Sequence, residues 1–169
     1  MDVNGVIGYL SNYGMIFLFI VILLEYLNLP GFPAGIILPV AGIWVANSNH
    51  SFITALIISV LAGLIGSCVL YGLGLFGGEF LLKKYVNKFP KQGKYIEEKM
   101  EFLRSKGNLG VFISKLIPMV RTLISIPAGV IRLNFLEYSL YSALGILIWN
   151  GAFMSAGYLF GDIVLKNLM

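Results

Sequence analysis

A single cysteine, Cys68, and a single histidine, His50, stand in 169 residues. One thiol excludes a disulfide framework within the chain, and its apolar surroundings suit a buried, inert group. One imidazole, in the polar patch 47–51 with nothing at ligand spacing beside it, reads as a loop residue, so no metal or cofactor is expected. Charge is scarce as well: 12% of residues carry it, against about a quarter in soluble domains. Ahead of Glu25 the sole charge is Asp2, so the basic n-region of a secretory signal is missing.

What fills the space is apolar: 58% of residues are hydrophobic and the mean hydropathy is +0.87. Residues 52–76 and 138–161 contain no Asp, Glu, Lys, Arg or His. Each run exceeds the roughly 20 residues needed to cross a hydrocarbon core. The expectation is an all-α, polytopic integral membrane protein, with residues 1–169 forming one membrane domain. Between residues 83 and 106 stand eight Lys or Arg against Glu97, Glu98 and Glu101, a surplus of five positive charges in a chain whose net charge is +4. The positive-inside rule places this segment in the cytoplasm. The surplus is read as a topology signal, and nucleic acid is not an expected partner.

Interruption is the other conspicuous feature. Residues 3–24 read as a helix. Residues 25–46 open with Glu25 and hold Pro30, Pro33 and Pro39 before Gly42, too broken for one straight helix; a first re-entrant hairpin is expected there. Residues 52–76 are the first clear span, with small residues such as Ser59, Gly63, Ser67 and Gly74 that let another helix approach closely. In the basic connector 78–106, Ile96, Met100 and Leu103 recur at i, i+4 and i+7, the pattern of an amphipathic helix on a membrane surface. Residues 108–131, with Pro118, Pro127 and Gly129, are expected to form a second re-entrant hairpin. Residues 134–165 hold the last span, where Gly157 and Gly161 read as a packing pair.

The two broken segments echo each other. Pro30 and Pro39 are nine residues apart, as are Pro118 and Pro127, and Leu38-Pro39-Val40-Ala41-Gly42-Ile43 parallels Ile126-Pro127-Ala128-Gly129-Val130. One intervening span would invert the second unit relative to the first, and inverted repeats of discontinuous helices are a transporter architecture. Each copy also holds charge: Glu25 in the first, Lys115 and Arg121 in the second. Such charges are costly at membrane depth unless they pair or face a wet cavity. Lys115 has a flexible stem that can snorkel to the interface. Arg121, a planar fork between two prolines, suits a bidentate hold on phosphate or a pair with Glu25.

On these residues the chain resembles the DedA family, the bacterial branch of the VTT-domain proteins. Glu25, Pro30, Pro33 and Leu38-Pro39-Val40-Ala41-Gly42 match its first membrane acid and proline turn. Ser114-Lys115-Leu116-Ile117-Pro118-Met119-Val120-Arg121-Thr122, followed by Pro127-Ala128-Gly129, matches its second signature. Phe135, Gly145, Trp149, Gly157-Tyr158 and Gly161 also fit, so the likeness covers about residues 15–161. The resemblance implies two re-entrant hairpins facing each other from opposite sides of a bacterial inner membrane. It also implies lipid translocation, of undecaprenyl phosphate or a phospholipid such as phosphatidylethanolamine, with dependence on the proton motive force in some members. The chain departs from the family at Gly35, where many members carry a second acid. It departs again at Ser114 and Lys115, which replace a glycine and an arginine, and it stops soon after Asp162.

The expectation that joins these features is a translocase or scramblase for a phosphate-bearing lipid, and not an enzyme. Arg121 and Lys115 would meet the headgroup, and Glu25 would carry a proton or pair with a cation. Pro30, Pro33, Pro39, Gly42, Pro118, Pro127 and Gly129 would shape the hairpins. Lipid and, at most, a second copy of the chain are the expected partners. The alternatives are a proton- or cation-coupled exporter built on Glu25, and a structural assembly protein whose charges only lock the fold. An enzyme would need a nucleophile with its base, or clustered metal ligands, which the lone His50 does not supply.

Overall fold

The computed structural model describes residues 3–28, 34–88, 90–118 and 120–168. Pro30 and Pro33, two of the expected hairpin-shaping residues, lie outside them, as does the side chain of Ile96. Seven helices follow in chain order: α1 Val3–Tyr26, α2 Ala34–Ala46, α3 Phe52–Lys88, α4 Pro90–Lys115, α5 Val120–Leu123, α6 Ser125–Val130 and α7 Phe135–Leu168. No strand occurs among the described residues, so the chain is all-α as expected.

Local chemistry explains the boundaries. The straight apolar part of α3 ends at Gly78, whose φ of 51° only a residue without Cβ adopts readily. That leaves a span of 27 residues, Phe52–Gly78; the apolar stretch of α7, Phe135–Gly161, has the same length. At about 1.5 Å per residue each reaches about 40 Å, enough for the hydrocarbon core and its interfacial margins. The start of α7 is capped by Asn134, whose Oδ1 accepts the amides of Leu136 at 3.1 Å and Glu137 at 3.2 Å. In α4 a positive φ at Gly107 separates an amphipathic stretch from an apolar one. Met100 and Leu103 of that amphipathic stretch are buried, whereas Glu98, Glu101, Arg104 and Lys106 are exposed.

Helix α1 runs on to Tyr26, so Glu25 belongs to its last turn rather than to the broken segment. Asn28 ends it with φ 59°, its amide bonded to the Glu25 carbonyl at 2.9 Å, a left-handed cap that asparagine tolerates. Helix α6 closes more fully. Leu133 N–H reaches the Ala128 carbonyl at 3.1 Å and Arg132 N–H the Gly129 carbonyl at 3.0 Å, with Arg132 at φ 54°. This is the Schellman pattern, and Leu133 packs beside Ala128 in the core as that pattern requires. His50 lies in the exposed turn after α2 with its ring 4.8 Å from that of Trp44. Cys68 is half-buried, with Sγ 3.9 Å from Ser139 Oγ.

The helices form two compact units. One gathers α1, α2, α3 as far as Gly63 and α7 from Ile146, with Leu18, Ile22, Leu38 and Val45 in its core. Here α2 rests on α7 with no side chain between them. A Cβ on Gly42 would collide with the Met154 carbonyl, and one on Gly157 with the Pro39 carbonyl. The other unit gathers α3 from Leu64, helices α4 to α6, and α7 as far as Gly145, around Tyr71, Leu103, Val111, Val120, Ile124, Ala128 and Tyr138. There α6 rests on α3 in the same manner. A Cβ on Gly129 would collide with the Tyr71 carbonyl, and one on Gly74 with the Ile126 carbonyl.

The two contacts share one register. In all four partners the carbonyl that fills the space lies three residues before the glycine: Pro39 and Gly42, Met154 and Gly157, Ile126 and Gly129, Tyr71 and Gly74. Shifted by 83 positions, the two spans superpose in sequence: Phe52 on Phe135, Ser59 on Ser142, Gly74 on Gly157 and Gly78 on Gly161. Buried positions 55, 59, 62, 63, 67, 71 and 74 fall on buried positions 138, 142, 145, 146, 150, 154 and 157. The packing therefore pairs Gly42 with Gly129 and sets Pro39 against Ile126, one residue off the match of Pro39 with Pro127.

Overpacking such a contact costs about 1–3 kcal/mol. Gly129→Ala and Gly157→Ala are expected to lower the thermal unfolding midpoint of the detergent-purified protein. Gly72→Ala, where a Cβ meets nothing within 4 Å, is expected to leave it unchanged.

Candidate functional site

Lys115 ends α4, and its stem runs inward rather than out to an interface. The residue is 1% exposed. Its ammonium donates to Ser67 Oγ at 2.8 Å, to the Arg121 carbonyl at 2.8 Å and to Ser125 Oγ at 3.1 Å. Three donors thus meet three neutral acceptors, which is the full capacity of an ammonium. Gly145 of α7 makes room for the stem, since a Cβ there would come within 2.5 Å of Lys115 Cβ. The snorkelling that a lysine stem permits does not occur here.

Between Lys115 and α6 the backbone turns twice. Leu116 and Ile117 amides close onto the Ile113 and Ser114 carbonyls, and Pro118 lies in the exposed bend. One turn of helix, α5, then carries Arg121 and Thr122 inward, with Arg121 at 2% exposure. Arg121 is the largest fully buried side chain among the described residues. Pro127 and Gly129 are buried in α6. This unit therefore brings Lys115 and Arg121 together through the Arg121 backbone.

Glu25 belongs to the other unit, where it is buried on the last turn of α1 at 5% exposure. Beside it the Tyr26 hydroxyl donates to Asn150 Oδ1 at 3.2 Å, and Asn150 Nδ2 donates to Ser59 Oγ at 3.2 Å. Ser59 passes its own proton to the Leu56 carbonyl at 2.8 Å. The Tyr26 ring covers Gly63, where a Cβ would lie 2.9 Å from it. Pro39 and Gly42 sit within α2. Gly35 is exposed with open space around it.

Ser67 and Asn150 are each the sixteenth residue of a 27-residue span, about 3 Å past its midpoint. The 83-residue shift that superposes the spans superposes these two polar positions as well. Tyr26, Asn150, Ser67 and Ser125 were not legible as site residues from motif spacing. Ser67 and Asn150 emerge only when burial is set beside the aligned spans. Among the described residues no group of three His, Cys, Asp or Glu is placed to hold a metal ion.

Residues 32–159 match the family model of the VTT domain. The chain is 34% identical to the undecaprenyl phosphate transporter A of Staphylococcus aureus, an alignment covering 91% of this chain and 77% of the relative. It is 30% identical to the undecaprenyl phosphate transporter A of Bacillus subtilis, covering 95% and 78%. It is also 27% identical to an alkaline phosphatase-like protein of Lactococcus lactis subsp. cremoris, covering 93% and 75%. No solved structure is a significant match.

Leaving buried polar groups unsatisfied costs about 1–3 kcal/mol. Asn150→Leu removes the amide that bonds the Tyr26 hydroxyl and Ser59 Oγ and is expected to lower the thermal unfolding midpoint accordingly. Ser105→Ala, on an exposed face, is expected to stay within about 0.5 kcal/mol of the parent.

Proposed function

The chain belongs to the VTT-domain family, the DedA family of bacterial membrane proteins, and from that premise we propose that it moves a phosphate-bearing lipid across the bacterial inner membrane. The observation that carries this reading is Arg121, buried at 2% exposure on a one-turn helix. A guanidinium is permanently charged and offers a planar fork that fits two phosphate oxygens. The names of the two transporter relatives favour undecaprenyl phosphate over phosphatidylethanolamine.

In this reading α1–α2 and α4–α6 are re-entrant hairpins, and the two halves form an inverted repeat. Its supports are physical. Helix α2 has 13 residues, about 20 Å, too short for a core of about 30 Å. The second broken segment is shorter still, with four and six residues in α5 and α6. One span separates the two segments along the chain, and the shared glycine register supports reading them as equivalent. Broken backbone survives at membrane depth only inside protein or along a water-filled cavity. Each hairpin would therefore face a hydrated path along which a headgroup slides while its tails stay in lipid. Arg121 neutralises the phosphate there. Glu25, buried on the last turn of α1, is the candidate proton carrier. The surplus of positive charge in 83–106 sets that segment on the cytoplasmic side.

The proposed activity is transport without bond chemistry. Hydrolysis would call for a nucleophile and base, or a ligand set for metal, and the sole histidine lies in an exposed turn with its ring tilted against that of Trp44. Buried Glu25 supports one rival, a proton- or cation-coupled exporter. In that case a cationic substrate would drive proton release that Glu25→Gln abolishes.

The test is translocation in vesicles reconstituted with the purified protein and labelled undecaprenyl phosphate or phospholipids. Arg121→Ala is expected to lower the rate at least tenfold while the protein keeps its elution profile. Arg121→Lys should retain part of the activity. An Arg121→Ala rate equal to that of the parent would sink the assignment.

A further inference from the structure

Each buried site charge has a hydrogen-bonding neighbour that docks on a membrane-spanning helix, and the docking position is the same in both units. Lys115 reaches Ser67 of α3 and Tyr26 reaches Asn150 of α7, positions that coincide when the spans are shifted by 83 residues. Each neighbour also lies over a glycine near mid-span, Gly145 under Lys115 and Gly63 under Tyr26. The elements so tied are those that carry the charges. Lys115 holds the carbonyl of Arg121 itself and the Ser125 hydroxyl that opens α6. Tyr26 is the residue after Glu25 on the same turn.

We propose that Lys115 and Tyr26 are matched positioning residues, each fixing the backbone that presents a site charge by docking it on one register position of a span. Lys115 is then a staple, although its sequence position suggests a second headgroup ligand. An ammonium has three hydrogens, and here all three meet protein acceptors at 2.8–3.1 Å. Gripping a phosphate would require it to release Ser67, Ser125 or the Arg121 backbone, and that release would loosen the residue proposed to do the gripping. Arg121 is left as the cation of this unit that meets lipid, and Lys115 sets where it stands. Tyr26 performs the same task for Glu25 with a neutral hydroxyl. The role given to Arg121 rests on the proposed function; the staple itself does not.

The test therefore has one arm without transport. Hydrogen–deuterium exchange on the detergent-purified full chain follows the amides of Arg121 and Ile124, bonded to the Ile117 and Val120 carbonyls, and those of Leu27 and Asn28, bonded to the Leu23 and Glu25 carbonyls. Lys115→Met and Ser67→Ala are each expected to speed exchange in 116–125 by roughly tenfold, with amides of α7 unchanged. The double variant should exchange no faster than Lys115→Met alone, because both substitutions cut the same tie. Tyr26→Phe, which loses one oxygen atom, should speed exchange at Leu27 and Asn28 only. In vesicles, Lys115→Met should slow a phosphomonoester lipid and a phosphodiester lipid by the same factor. A direct ligand would instead favour the dianionic monoester, so its loss would shift that ratio. Unchanged exchange in Ser67→Ala, additive effects in the double variant, or a shifted lipid ratio would each overturn the proposal. Coupled exchange in a parent protein that moves no lipid would uphold the staple and reject the transport reading.

Discussion

Contact of backbone on backbone at Gly42 with Gly157, and at Gly74 with Gly129, is the constraint on which the rest of the structure depends. A helix of 13 residues, or of six, leaves amides and carbonyls at its ends that hydrocarbon cannot satisfy. Such an element persists at membrane depth only if protein encloses it. A full-length span can enclose it closely only where neither partner carries a side chain at the crossing. Small residues do this in membrane helices generally, because dispersion between closely packed backbones replaces a hydrophobic drive that lipid does not supply. Here the requirement is reciprocal, one glycine on each helix, so a change on either side opens the same gap.

Once the short helices are held, polar groups near mid-span become affordable. The Lys115 ammonium spends its donors on two hydroxyls and a carbonyl, and Tyr26, Asn150 and Ser59 form a chain that ends on the Leu56 carbonyl. In low dielectric each of these bonds is stronger than in water, and each broken one is costlier. Networks of this kind fix one arrangement of the backbone. They also fix depth, because Ser67 and Asn150 stand at the same distance from the ends of their spans. The glycines decide which surfaces touch, and the mid-span polar residues decide at what height.

Much of this was legible in the sequence. The charge-free runs fall within the two helices long and apolar enough to span, and burial of Glu25, Lys115 and Arg121 accords with charges lodged among apolar residues. The amphipathic stretch around Met100 and Leu103 also followed from spacing alone. Other features did not. The end of α1 falls beyond Glu25 because Asn28, not a proline, terminates it. The echo between the broken segments registers on Ala-Gly, since the packing requirement is a missing Cβ, whereas proline only breaks hydrogen bonds and can shift by one residue. Lys115 has three tertiary partners at sequence distances of 48, 6 and 10, and no local pattern announces them. The 83-residue correspondence between the spans was present in the letters. Apolar helices share so many residues by composition that burial is needed to single it out.

The shared register also exposes an asymmetry. Arg121 precedes Gly129 by eight residues, and the residue eight before Gly42 is Ala34, followed by Gly35. The position that answers to Arg121 in the first broken segment thus carries no charge, and it adjoins Gly35, where the family resemblance leads one to expect a second acid. Nothing within 4 Å of a Cβ on Gly35 would have forbidden that acid, so its absence is not a steric necessity. On the proposed reading each hairpin then contributes one unlike charge from a different part of its structure: an acid at the end of the entering helix α1, and a base on the short helix after the turn. Among the described buried residues Glu25 is then the sole acid, and any proton uptake by a buried carboxyl falls to it.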